Sequence, residues 1–156
     1  SQYLGLTHVH RRTLEVQSLR PTPHEGEGPK LGNWGAPPPK VGKKQIPANW
    51  NAPVLVSPHD PRRLYAGMRE LMTSADRGRT WTSLGDRTTG VDRRALTIMG
   101  QGATDTTLSL DDGVSYFPTI SALAESPRVK GLLYVGTDDG NLQRSRDGGR
   151  TVTQGF

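Results

Sequence analysis

One stretch of this chain is written twice. Residues 52–84 and 120–154 share three landmarks in the same order. Ser57-Pro58 recurs as Ser126-Pro127, and Leu64-Tyr65-Ala66-Gly67 recurs as Leu133-Tyr134-Val135-Gly136, each 69 residues further on. Ser74-Ala75-Asp76-Arg77-Gly78-Arg79-Thr80-Trp81 recurs as Ser145-Arg146-Asp147-Gly148-Gly149-Arg150-Thr151-Val152, 71 residues on. The two extra residues fall in Thr137-Asp138-Asp139-Gly140. A repeat of this kind constrains the fold strongly, because each copy must be one supersecondary unit that buries its faces on its neighbours.

Within each copy the pattern is that of short strands. Leu64, Ala66 and Met68 alternate with Tyr65 and Gly67, the period of a strand. His59-Asp60-Pro61 is a turn cluster. The first copy is expected to hold strands at 53–57, 64–68, 71–74 and 81–84. The second is expected to hold them at 120–124, 132–137, 142–145 and 151–155. With only 32% hydrophobic residues turn-rich antiparallel all-β structure is favoured over a compact helical bundle. A four-stranded unit repeated in sequence is the pattern of a propeller blade. The expected fold is therefore an all-β fragment of a β-propeller with four-stranded antiparallel blades.

The rest of the chain divides around those copies. Residues 1–20 alternate loosely, like the end hairpin of a preceding blade. Residues 21–50 are rich in Pro, Gly and Lys and read as a linker or long loop. Residues 51–85 and 119–156 are the two blades. The mostly polar stretch 86–118 is an interblade insertion long enough to carry function. Within it Ser109-Leu110-Asp111-Asp112-Gly113-Val114-Ser115-Tyr116 repeats the spacing of the eight-residue motif. No Ser-Pro or Leu-Tyr-x-Gly precedes it, and 100–107 does not read as strands, so it is expected to be a loop rather than a third blade.

The eight-residue motif explains itself chemically. A carboxylate at Asp76 or Asp147 can accept hydrogen bonds from backbone N–H groups further along a tight turn. Gly78 and Gly149 tolerate the positive φ such a turn needs. Trp81 restarts the strand and offers apolar surface to the core. Ser74, Asp76, Gly78, Thr80 and Trp81, with Ser145, Asp147, Gly149 and Thr151, are therefore expected to be structural. Val152 departs from the aromatic in the second copy.

The motif resembles the Asp-box, or BNR repeat. With Asn49-Trp50-Asn51-Ala52-Pro53 leading into Ser57-Pro58-His59-Asp60-Pro61, and Leu133-Tyr134-Val135-Gly136-Thr137-Asp138-Asp139-Gly140-Asn141 leading into the second copy, the chain resembles bacterial sortilin-like and glycosyl-hydrolase-like BNR-repeat proteins. The likeness covers residues 49–156, and more weakly 3–27. It implies a propeller, export to a secreted or periplasmic location, and more blades than two. The box specifies fold better than activity.

In such a fold the loops at 85–117, 68–70 and 137–140 share one face, and Asn49-Trp50-Asn51 enters beside them. Trp50, Asn51 and Arg69 are the candidate ligand-binding residues, and Glu70, Asp138 and Asp139 are the candidate catalytic carboxylates. Two carboxylates must flank a glycosidic bond at a defined separation, and Asp86 and Asp92 are further candidates. Equally, Asp138-Asp139-Gly140 reads as a tight turn and Trp50 as interblade packing. The expected function is a non-catalytic recognition or scaffold module for a protein or glycan ligand. The alternative is a fragment of a polysaccharide-cleaving glycoside hydrolase.

Other chemistries are read out. No Cys is present, which excludes disulfides, thiolate zinc sites and a Cys nucleophile. His8 and His10 sit two apart without a third ligand, His59 is expected to order a turn, and His24 carries no signal. No metal and no cofactor are expected. There is no Gly-x-Ser-x-Gly elbow and no phosphate loop. The net charge of +5 comes from scattered basic residues without interleaved aromatics, so nucleic acid is not an expected partner. No apolar run is long enough to span a bilayer. The start Ser1-Gln2-Tyr3-Leu4 does not read as a signal peptide. With Gly155-Phe156 inside an expected strand, the chain reads as a fragment or processed product that requires further blades or self-association.

Overall fold

The computed structural model describes residues 2–21, 46–104 and 116–155. The fold is all-β and antiparallel. A hairpin of β1 (Thr7–Val9) and β2 (Val16–Ser18) comes first. A four-stranded sheet follows, built in chain order from β3 (Val54–Val56), β4 (Leu64–Gly67), β5 (Glu70–Ser74) and β6 (Thr82–Asp86). A small hairpin joins β7 (Thr97–Ile98) to β8 (Gln101–Gly102). The second four-stranded sheet again runs in chain order, through β9 (Ile120–Glu125), β10 (Leu133–Thr137), β11 (Leu142–Ser145) and β12 (Thr153–Gln154). Among the described residues no helix is long and apolar enough to cross a membrane.

The sequence repeat is a repeat of register. Leu64 pairs with Ser74 and Gly67 with Leu71; at the matching positions Leu133 pairs with Ser145 and Gly136 with Leu142. Val54 faces Ala66 as Leu123 faces Val135. Alternation then assigns the faces. In the first sheet Ala66 and Met72 turn one way, into a cluster with Leu4, Ile46, Ala48 and Met68, against which Trp81 packs. Tyr65 and Leu71 turn the other way and pack with Ile120, Leu133 and Val135 of the second sheet. The first sheet is thus covered on both faces, and burial of β4 at every position follows. Ile46 and Ala48 belong to this core although they close the stretch expected to be linker.

The eight-residue turns carry the stacking. In both copies the serine Oγ donates to the aspartate 2.8 Å away and accepts from the glycine N–H at 2.8 Å, while the threonine N–H donates to the aspartate at 2.9 Å. The threonine hydroxyls complete the set, at 2.6 Å to Asp76 and 2.7 Å to Asp147. These bonds, led by the threonine hydroxyl, hold both carboxyls well below the usual range, at about 2. Gly78 and Gly149 take φ of +85° and +91° and sit on the preceding unit: a Cβ on Gly78 would meet Leu19 at 3.2 Å, and one on Gly149 would meet Leu84 at 2.9 Å. Trp81 Nε1 donates to Leu19 O at 2.8 Å. The β1–β2 hairpin therefore stands to the first sheet as the first sheet stands to the second.

Two expectations need adjustment. The fourth strands begin later than read, at Thr82 and Thr153, because the turn hydrogen bonds extend through Thr80 and Thr151. The stretch from Gly100 onward does contain strand: Gln101–Gly102 pairs back on Thr97–Ile98 across Met99 (φ 51°) and Gly100 (φ 80°). Both turn residues lie in the left-handed region that a two-residue hairpin requires. The motif at 109–116 lies outside the described residues apart from Tyr116, as does His24.

Candidate functional site

The connections β4–β5 and β10–β11, the entry to β3 and the segment after β6 meet at one end of the two sheets. Backbone bonds tie them together: Arg69 N–H to Pro47 O at 2.8 Å, Ile120 N–H to Met68 O at 2.8 Å, and Asp138 N–H to Thr119 O at 3.0 Å. Trp50, Asn51, Arg69, Glu70, Asp138 and Asp139 all lie on these segments, so one end of the molecule carries every candidate side chain.

Asp138 is a structural acceptor. It receives Thr119 N–H at 2.7 Å, Thr119 Oγ1–H at 2.8 Å and Asn49 Nδ2–H at 3.0 Å. It therefore clamps the entry to β3, the entry to β9 and the β10–β11 turn. Asp139 receives Thr89 N–H at 2.6 Å and Thr89 Oγ1–H at 2.7 Å, and also the Thr137 hydroxyl. Burial pushes the Asp139 carboxyl up, but the bonds from Thr137 and Thr89 outweigh it and hold the group below its ordinary value. Gly140 closes the turn at φ +85° with its N–H on Thr137 O. Asp138-Asp139-Gly140 form a tight turn.

The other carboxylates are equally engaged. Glu70 opens β5 opposite Asp86 and accepts from the Ser83 hydroxyl. Two acidic residues face each other there, and each has its own donor. Asp86 takes Arg69 Nε–H at 2.8 Å and Thr88 N–H at 2.8 Å. Burial raises its pKa, while the Arg69 and Thr88 bonds reverse the sign and leave it lowered. Asp92 caps the 3₁₀ turn Arg93–Ala95 by accepting Arg94 N–H at 2.9 Å.

The aromatic residues stand differently. Trp50 is 50% exposed, not packed between sheets. Tyr3 meets it edge-to-face, with ring centroids 5.5 Å apart, and Tyr3 meets Tyr116 in the same way at 5.8 Å. Beside them the Arg93 guanidinium lies over the Phe117 ring, 5.5 Å from its centroid. Asn51 is exposed at the rim, its N–H bonded to Asn49 Oδ1 at 3.2 Å. Tyr3 and Tyr116 did not emerge from the sequence. They lie far apart in the chain, and no periodicity links them to Trp50.

Two further groups hold the sheets together. Arg87 is 8% exposed, and its Nη2 donates to Gly149 O at 2.8 Å and to Leu84 O. Its own carbonyl accepts from Asn141 and Gln143 of the second sheet. Burial lowers its pKa. His59 orders its turn through Ser57 and donates from Nε2 to Ser126 O at 2.8 Å. His10 Nδ1 is bonded to Thr13. Among the described residues no three His, Cys, Asp or Glu side chains group as metal ligands.

No family model, no curated protein and no solved structure matches this chain.

Proposed function

We propose that this chain is part of an Asp-box β-propeller of the sortilin-like and glycosyl-hydrolase-like BNR-repeat kind, acting as a non-catalytic recognition module. In this reading the end bearing Trp50 binds a protein or glycan ligand. The repeated register and the duplicated turn hydrogen bonds support the propeller. So does the outer face of the second sheet. Leu142, 43% exposed, holds there the position that Leu71, at 0%, holds in the first sheet. A further unit is needed to cover it, either from a longer chain or by self-association. Export to a secreted or periplasmic location is part of the same proposal.

The observation that carries the binding role is the half-exposed Trp50, braced edge-to-face by Tyr3, which Tyr116 backs in turn, on a scaffold of engaged carboxylates. An aromatic face with fixed orientation suits stacking on a sugar ring or an apolar side chain. The hydrolase alternative requires a carboxylic acid whose pKa is raised. Asp86 and Asp139 are lowered, and Asp138 already accepts three hydrogen bonds.

The test is to probe glycan and protein arrays with the labelled full chain and with Trp50→Ala, and to assay polysaccharides for released reducing ends. The expected result is binding that Trp50→Ala abolishes at unchanged melting temperature, without turnover. Hydrolysis that Glu70→Gln removes in a folded protein overturns the reading in favour of the enzyme.

A further inference from the structure

The opposite end of the sheets holds a second feature. A cleft of about 330 Å³ opens there between the two sheets. Four cationic side chains line it: Arg63 ahead of β4, Lys130 in the β9–β10 turn, and Arg146 and Arg150 in the turn after β11. Among the described residues none of the four makes an ion pair. Arg63 Nη1 reaches Thr73 Oγ1 at 3.4 Å, and its guanidinium also bonds the Tyr65 hydroxyl, so both of its side-chain partners are neutral.

Two carboxylates share the cleft with them, and neither neutralises the cluster by contact. Asp147 is committed to Ser145 and Thr151. Glu125 is 7% exposed. Its Oε1 accepts Gly131 N–H at 2.9 Å, and its Oε2 is buried with no hydrogen-bond partner. An unsatisfied buried acceptor is a cost that a native structure ordinarily avoids. The terminal torsion of a Glu is broad, so a small rotation offers Oε2 to a donor in the cleft.

Glycines keep the space open. Gly148 has φ +75°, and a Cβ there would stand 3.2 Å from the Tyr65 hydroxyl; one on Gly131 would stand 3.1 Å from Gly148 N. The Tyr65 hydroxyl thus lies against the turn that lines the cleft. Burial raises its pKa, so it stays a neutral donor.

Cations without carboxylate partners call for an anion, and a buried carboxylate oxygen without a donor calls for a hydroxyl. We propose that this cleft binds a small hydroxylated oxyanion of the size of one sugar acid or sugar phosphate, its anionic group held by Arg63, Arg146 and Arg150 and a hydroxyl donating to Glu125. The cleft is at the small end of ligand pockets, which run from about 300 Å³ upward. The site is separate from the Trp50 end and does not rest on the function proposed for it.

Calorimetric titration of the full chain with glucuronate, glucose 6-phosphate, inorganic phosphate and glucose tests it. The expected result is saturable single-site binding of glucuronate or glucose 6-phosphate, with glucose inert; which of the two binds identifies the anionic group. Arg146 and Arg150 are exposed and outside both cores, so the double variant Arg146→Gln/Arg150→Gln is expected to melt normally and to bind about tenfold more weakly or worse, as loss of charge-assisted bonds requires. Glu125→Gln keeps the acceptor for Gly131 and is expected to bring the hydroxylated probe down to the affinity of inorganic phosphate. The proposal is overturned if neither hydroxylated probe binds, if the double variant binds like the parent, or if inorganic phosphate binds the parent as tightly as the hydroxylated probes.

Discussion

Gly149 and Gly140 offer a controlled comparison. Both hold positive φ, at +91° and +85°, but their surroundings differ. A methyl group on Gly149 would lie 2.9 Å from both Leu71 Cδ2 and Leu84 Cδ1, and 3.3 Å from Leu133 Cδ1, whereas one on Gly140 meets nothing within 4 Å. Alanine at either site carries the left-handed backbone penalty, about 1–2 kcal/mol. At Gly149 an overpacking cost of about 1–3 kcal/mol adds to it, because three leucines of the inter-sheet core must give way. In a chain of this size each kcal/mol lowers the melting midpoint by about 2–4 °C. Urea and thermal unfolding of Gly149→Ala and Gly140→Ala should therefore rank them clearly, with Gly149→Ala several degrees the lower. Equal destabilisation would mean that the turn at Gly149 needs glycine for its backbone alone. The wedge between the sheets, and the stacking argued from it, would then be wrong.

Two further outcomes are expected. Asp76 and Asp147 have folded pKa values of about 2 against an ordinary 3.8. A depressed carboxyl stabilises the fold above its unfolded pKa and loses that contribution as pH falls through the folded value. Stability measured in urea should therefore decline from about pH 4 towards pH 2, and Asp76→Asn/Asp147→Asn should flatten that decline. Asp138→Ala strands the backbone N–H of Thr119, a residue with 0% exposure. It should cost about 1–3 kcal/mol in unfolding free energy, and an unchanged midpoint would show that the clamp is not rigid.

The repeat made most of the strand pattern legible, because alternation at Leu64–Gly67 and Leu133–Thr137 is a local property that period and turn residues reveal. The Ser-x-Asp-x-Gly-x-Thr chemistry was legible for the same reason: every partner lies within a few residues. What stayed hidden was nonlocal. Asp138 reaches Asn49 across most of the chain, and Arg87 spans from the end of β6 to Gly149. Neither contact has a spacing that a sequence can display. Trp50 illustrates the limit from the other side. It reads from the sequence both as a ligand-binding candidate and as interblade packing, and what separates the two, its exposure and its contact with the distant Tyr3, is nonlocal. Glu125 was invisible as a site residue because Val56 fills the equivalent register in the first copy, so the repeat itself argued for nothing polar there.

The way each turn glycine seats on a leucine of the unit before it gives the stack a polarity. Gly78 rests on Leu19 and Gly149 on Leu84, so the surface that receives and the surface that inserts are different. Contacts of this sort are heterologous and cannot be satisfied by a two-fold axis. Any added unit that used them, from the same chain or another copy, would enter in one sense only. The series would end by closing on itself or would continue as a filament, and a symmetric face-to-face dimer could not cap it by the same means.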